Sequence, residues 1–383
     1  MAFYQYLLLI VAVVFFNEYL IFHIVIGQCA WPEAPKEGNR LNALIIADPH
    51  LLGVWRAHWF DKLRREWQMS ISFATALKWH NPEVIFVLGD LFDEGMWSDK
   101  AMFEQYTARF MQLFRSNDAP VFAVVGNHDT GFHYNLHPVR LKWFSDAFGM
   151  DSVHLRVFKG FPFVLVNSMA MENDGCTLCN YALHKLRSIN RTLRCVKEQW
   201  RNASCDSSTF TDYVRPILLQ HFPLYRESDA PCQEPDAAPY YLKYKKMRQS
   251  WECLSKESSS LLFDHLQPRA VFSGHTHYGC LTLHGSTGIP EWSVSSFSWR
   301  NINNPAVLLV TFDRTGVYVS KCLLPRESTV ITFYLSVRAS ARERRRLWRQ
   351  LGTLAQEFTN RGFQPTQHKE VMHAKLVGLN ALN

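Results

Sequence analysis

Apolar residues gather in short solid runs separated by longer stretches of mixed spacing. Residues 43–47, 84–88, 121–125, 163–166, 217–219 and 270–272 are apolar throughout. Such runs are the pattern of strands buried on both faces. Between the first two, residues 61–79 place Leu63, Trp67, Ile71, Ala74 and Leu77 near helical spacing, and 102–114 reads as a second helix. Strands alternating with helices predict an α/β arrangement. After Gly279 the pattern changes to short alternating strands at 281–283, 292–294, 307–311 and 317–319. No repeat of the solenoid kind is present.

The N-terminus has a different texture. Residues 7–16 are wholly apolar, Asn17 and Glu18 interrupt, and 20–26 resume with only His23 polar. The stretch is long enough to span a bilayer as a helix, and one carboxyl within it carries a cost of a few kcal/mol. We read 1–27 as an uncleaved transmembrane anchor. A cleaved signal peptide ending near Gly27 or Ala30 also fits the apolar stretch, but no Lys or Arg precedes it. A linker over 28–41 leads to one domain over 42–326, with loop insertions near 170–215 and 226–249. Insertions of that length often shape access to a site. Beyond it, 330–337 is apolar but too short to span, and 327–383 reads as a basic tail, helical or disordered.

The net charge of +7 is concentrated late, in Arg338, Arg342, Arg344, Arg345, Arg346 and Arg349. Such a cluster suits either a solvated helix face or loose tail, the reading adopted here, or an acidic membrane surface; nucleic acid is not expected as a partner. Nine cysteines accompany two acceptor sequons, at Asn190 and Asn202. Together these place the domain in an oxidising lumen with disulfides, and an odd count leaves at least one thiol over. Cys176-x-x-Cys179 reads as a structural disulfide or free thiols rather than half a zinc site.

Five of the strand runs are followed by the residues that carry chemistry. They are Asp48-Pro49-His50, Gly89-Asp90-Leu91-Phe92-Asp93, Gly126-Asn127-His128-Asp129, Gln220-His221-Phe222-Pro223 and Gly274-His275-Thr276-His277. Ligands of α/β sheets collect at the carboxyl ends of strands, so these side chains are expected to converge. Carboxylates and imidazoles without thiols suit divalent Mn, Fe or Zn in a reactive site. Two such ions side by side activate water and clamp a displaced phosphoryl group. Asp93 closes the second motif and is expected to cap, or to hydrogen-bond a group outside the metal shell, rather than to bind metal. His133 and Tyr134 sit just past the third motif. Arg300 would suit a phosphate, while Phe297 and Trp299 read as core.

The five motifs, in this order over about 41–321, resemble those of the calcineurin-like metallophosphoesterase superfamily. The resemblance implies a two-sheet β-sandwich flanked by helices with a dinuclear metal centre at its edge. It implies Asp48, His50 and His277 on one metal, Asn127, His221 and His275 on the other, and Asp90 bridging. His128 would contact the substrate phosphate and act as acid, and Asp129 would orient His128. A metal-bridging hydroxide would be the nucleophile, with no covalent enzyme intermediate.

Further stretches, including 61–69, Gln220 to Arg226, Ser296 to Asn301 and Leu324-Pro325-Arg326-Glu327, resemble the membrane-bound branch of that superfamily that remodels GPI anchors. This branch removes an ethanolamine-phosphate side branch from the GPI glycan. It implies manganese, GPI-anchored proteins as substrates, p24-type cargo receptors as partners, and residence from ER exit sites through the ER–Golgi intermediate compartment to the Golgi. That branch usually carries a second C-terminal span and a lysine-based retrieval signal. Here 330–337 passes into the arginine cluster, and Leu379-Asn380-Ala381-Leu382-Asn383 lacks such a signal. The alternatives are the same chemistry on a nucleotide or phosphoprotein, or a scaffold of this fold without catalysis.

Overall fold

The computed structural model describes residues 2–338 apart from 36–37, 56, 151, 173, 177, 199–211 and 286–287. Asn202, Cys205, the arginines beyond Arg338 and the rest of the tail lie outside the described residues, as does the Tyr134 side chain. The chain forms two compact units, Phe15–Val330 and a smaller one of Met1–Val14 with Ile331–Asn383.

The elements run α1 (Ala2–Phe15), a π-helical turn (Phe16–Leu20), α2 (Ile21–Gly27), β1 (Leu41–Ile46), α3 (Trp59–His80), β2 (Val84–Leu88), α4 (Lys100–Leu113), β3 (Val121–Val124), α5 (Asn127–Thr130) and α6 (Pro138–Phe148). They continue with β4 (Val153–Phe158), β5 (Phe161–Val166), α7 (Cys179–Glu198), β6 (Ile217–Gln220), α8 (Tyr240–Lys243), α9 (Lys256–Leu266), β7 (Ala270–Ser273), β8 (Cys280–His284), β9 (Ile289–Ser293), β10 (Ala306–Phe312), β11 (Val317–Leu323) and α10 (Glu327–Arg338).

One sheet has the order β11-β10-β1-β2-β3 and the other β4-β5-β6-β7-β9-β8. β1, β2 and β3 are parallel neighbours, as are β5, β6, β7 and β9. The solid apolar runs have the expected cause, since β2, β5, β6, β7 and β10 are buried along their whole length. The sheets meet through Phe163 of one, packed on Phe86 and Phe312 of the other with ring centroids 4.9 and 5.0 Å apart. The α/β reading and the helix-flanked two-sheet arrangement therefore both hold.

Leu7–Gly27 is long and apolar enough to cross a membrane. Its last third also packs on the domain: Ile21, Phe22 and Ile26 are buried, and Asn17 in the π-turn donates to the Val330 carbonyl at 3.2 Å. A disulfide from Cys29 to Cys322 ties its end to β11. Cys176–Cys179 and Cys232–Cys280 are also bridged, Cys195 is disulfide-bonded, and Cys253 is the free, buried thiol among the described residues.

Two expectations change. The first insertion is not all loop, because α7 occupies 20 residues of it. Ala182, Leu186, Ile189, Leu193 and Val196 make its buried stripe at regular helical spacing, and Asn190 stands on this helix. The second concerns α3. Its apolar stripe at Leu63 and Trp67 faces outward, while Gln68, Ser72 and Thr75 are buried with Met69, Phe73 and Ala76.

Candidate active site

All five motifs stand at the carboxyl ends of parallel strands, where β1, β2 and β3 of one sheet meet β6 and β7 of the other. The first two loops are stitched together by backbone. Asp48 N–H donates to the Gly89 carbonyl (3.2 Å), and His50 N–H to the Asp90 carbonyl (3.0 Å). The Gly274 amide donates to the His221 carbonyl in the same way (2.9 Å). Ten non-glycine residues among those described have positive φ, and five of them are Asp48, His50, Asp90, His275 and His277. Left-handed backbone is costly for such residues and persists where surroundings impose it, characteristically at functional sites.

The side chains form two clusters of potential ligands that share one carboxylate. Asp48, His50, Asp90 and His277 make the first, and Asp90, His221 and His275 the second. Asp90 Oδ2 lies 3.4 Å from His50 Nε2 and 3.3 Å from His221 Nε2. Asn127 joins the second cluster, its Oδ1 3.0 Å from His221 Nε2. In the first, the Nε2 atoms of His50 and His277 stand 3.0 Å apart.

The outward nitrogen of His221, His275 and His50 faces a fixed partner, which selects the inward one. His221 Nδ1 donates to the Leu88 carbonyl at 2.7 Å. His275 Nε2 donates to the Trp251 carbonyl at 2.8 Å, and its ring stacks on Phe222 with centroids 4.0 Å apart. His50 Nδ1 faces Asp93 Oδ1 at 3.2 Å. Partners of this kind orient metal-binding histidines.

The electrostatics favour a cation. Burial holds His50, His275 and His277 below the usual imidazole range, His275 at about 3; the neutral ring is the form that offers a lone pair. Burial acts the same way on His221, but the Asp90 and Asp48 charges outweigh it and lift His221 to about 9. Burial alone would raise Asp90; the imidazoles of His221, His128 and His50 bring it well below the carboxylate range. Burial, with Asp90 close by, pushes Asp48 well up against the pull of His221. The Asp90 Oδ2 atom is buried and makes no well-formed hydrogen bond, with only imidazole nitrogens brought near it among the described residues. Such an atom is costly unless a cation meets it, so the residues present fit a pair of divalent ions.

A family model for calcineurin-like phosphoesterases matches residues 41–279. The chain is a calcineurin-like phosphoesterase. Metallophosphoesterase 1 of Cricetulus griseus is 46% identical over 332 residues, covering 85% of this chain and 84% of that protein. The Danio rerio protein of that name is 42% identical, over 85% and 86% of the two chains. The Metallophosphoesterase 1 homolog of Drosophila melanogaster is 43% identical, over 87% and 90%. Membership makes the protein a hydrolase of phosphoric esters, and the fold implies divalent metal ions.

Within this phosphoesterase, one assignment made from the third motif changes. Asp129 does not meet the His128 ring. Its oxygens accept from the backbone N–H groups of Phe92 (3.0 Å) and Gly126 (2.8 Å), and burial with the Asp90 charge pushes it up to about 8. His128 is instead held through Nδ1, which donates to the Asp93 carbonyl at 2.9 Å, and its amide donates to Asp90 Oδ1 at 2.8 Å. The physical reason is α5, which starts at Asn127 and turns successive side chains to different sides. Gly126 is extended (φ −107°), so no sharp turn requires it. A Cβ there would lie 2.1 Å from Asp90 N, and close approach is what demands glycine.

Arg300 stands at the rim, half exposed, with Nη2 3.7 Å from Asp93 Oδ2. Phe297 and Trp299 are buried core residues. His133 meets Asp174 (2.8 Å), the Ser250 carbonyl (2.5 Å) and the Trp251 ring (5.2 Å). The Trp251 carbonyl is the contact sequence reasoning missed, because any residue type offers a carbonyl.

Proposed function

We propose that this chain is a two-metal phosphodiesterase that removes an ethanolamine-phosphate side branch from the glycan of GPI anchors. The observation that carries the chemistry is Asp90, one carboxylate shared by two imidazole clusters. Asp48, His50 and His277 would hold one ion, Asn127, His221 and His275 the other, with Asp90 between them. The ions, manganese in this reading, supply Lewis acidity toward the phosphoryl oxygens and a nucleophile at neutral pH. His128 does the proton work. Its Nδ1–H is committed to Asp93, which leaves Nε2 to protonate the departing oxygen. Arg300 would pair with a phosphate oxygen from the rim.

The substrate rests on other support. The helix Leu7–Gly27 suits a membrane anchor, which favours substrates held at the same membrane. Disulfides suit a lumen, here that of ER exit sites, the intermediate compartment and the Golgi. The relatives carry the name Metallophosphoesterase 1 across most of this chain, in line with the GPI-remodelling branch. Export of GPI-anchored proteins with p24-type receptors follows from that role.

Metal content and hydrolysis of bis-p-nitrophenyl phosphate test the chemistry; no metal and no turnover would refute it. Mass analysis of GPI glycans from cells lacking the protein tests the substrate. Retained ethanolamine-phosphate is expected on glycans that normally lose it, and an unchanged pattern would exclude this assignment.

A further inference from the structure

The first half of α3 is built inside out. Gln68 is buried, its amide donating to the Phe297 carbonyl (3.1 Å) and its Oε1 accepting from Trp299 N–H (3.1 Å). The opposite face carries Trp59, Phe60, Leu63 and Trp67, exposed to 67, 56, 59 and 47%. Trp59, Leu63 and Trp67 recur every four residues, one continuous stripe. Val54 and Trp55, just ahead of the helix, are also exposed. Single exposed apolar residues are ordinary, but six large ones together mark an interaction face.

The anchor identifies what covers it. Trp67 Nε1 donates to the Glu18 carbonyl (3.2 Å), Trp79 Nε1 to His23 Nδ1 (3.2 Å), and His80 Nε2 to the Ile26 carbonyl (3.2 Å). The contacts occur in the same order along both helices. Tracing α3 back from Trp67 to Trp59 therefore follows the anchor toward Phe15. Glu18 is nine residues from the end of the span at Gly27, about 14 Å at helical rise. A domain pinned to the anchor that far inside its end cannot stand clear of the membrane. Phe15, Tyr19, Leu20 and Ile24 face outward from the anchor beside it, so the apolar surface of α3 is continuous with that of the span. Tryptophans concentrate at the bilayer interface, where an apolar ring with one N–H is at home.

We propose that Val54, Trp55, Trp59, Phe60, Leu63 and Trp67 form a membrane-interfacial face, seated in the phospholipid bilayer that the chain's own anchor enters. The proposal rests on the reading of Leu7–Gly27 as an anchor. It has a consequence for the site. Trp55 follows His50 by five residues in the same loop, and its amide donates to Glu94 Oε2 (3.1 Å), next to Asp93. The rim of the metal centre is thereby held at headgroup level, where a lipid-linked phosphodiester lies.

The test uses the full chain in vesicles of phosphatidylcholine with brominated acyl chains, which quench tryptophan on contact. Flotation comes first. Protein left at the bottom of the gradient refutes the anchor and this inference together. In floated protein, the lipid-quenched part of the fluorescence is expected to fall by roughly half when Trp55→Phe, Trp59→Phe and Trp67→Phe are combined. Flotation with the same quenched fraction in wild type and triple variant leaves the anchor standing and overturns the interfacial face. Absent quenching with two copies per lipid nanodisc overturns it too, and assigns the face to a second copy of the chain.

Discussion

Asp93 Oδ1 stands 3.2 Å from His50 Nδ1, and this one residue also accepts from His128 Nδ1 through its own carbonyl. A proposed metal-site histidine and the proposed acid are thus both held by contacts to a single residue. Asp93→Ala is expected to weaken metal affinity or activity about 10–100-fold. Asp93→Asn, which keeps the backbone and a polar side chain, should lose less. Titration of metal-free protein with Mn²⁺ measures both, and unchanged affinity in the alanine variant would refute the positioning role.

Asp90→Ala should do more, because both clusters contain that carboxylate. Bound metal should fall below two per chain, and hydrolysis should drop further than the ~10–100-fold expected for an outer partner. Elemental analysis alongside circular dichroism separates loss of metal from loss of fold. Two ions retained with full activity would sink the bridging assignment.

Asp129 serves the backbone, holding the amides of Phe92 and Gly126. Replacement by Ala leaves two buried donors unpaired, at about 1–3 kcal/mol each. A lowered denaturation midpoint is expected. The pH dependence of turnover in the folded fraction should keep its shape, since His128 draws its support from Asp93. A pH profile shifted without loss of stability would restore the sequence-based assignment.

Glu291 is fully buried, meeting His284 Nε2 (2.6 Å), Ser273 Oγ (2.8 Å) and the Leu224 amide (3.0 Å). Burial alone would raise its pKa; His284, Arg226 and the Leu224 amide outweigh that and hold it below the ordinary 4.5. A folded value below the unfolded one means stability that is present above the ordinary carboxylate range. It is lost as pH falls through the lower folded value. Glu291→Gln should therefore cost about 3 kcal/mol at pH 7 and progressively less in acid. Denaturant titrations at pH 7 and pH 4 would show it, and an equal cost at both would contradict the ion pair.

The site was legible where residue type and position along a strand were enough. Asp48, Asp90, Asn127, His221, His275 and His277 each follow an apolar strand, and parallel neighbours bring such ends together without further information. What failed was direction. The period of α3 marks a stripe but not which solvent the stripe meets, and Leu63 and Trp67 prove to be exposed. The family resemblance implied that Asp129 orients His128, a partnership that the helical turn at Asn127 does not make. The stripe of α7 was plain in the sequence, but the cysteines and sequons around it invited a loop reading.

The Trp251 carbonyl that fixes His275 belongs to the stretch just past the second insertion. Insertions are where relatives with one chemistry diverge toward different substrates, and here that region ends on a ligand's back. Displacing the insertion's end would remove the carbonyl that holds the His275 ring. Grafting a foreign insertion onto this scaffold would therefore retune the reaction centre along with selectivity, and the graft must carry its own Trp251 carbonyl into register.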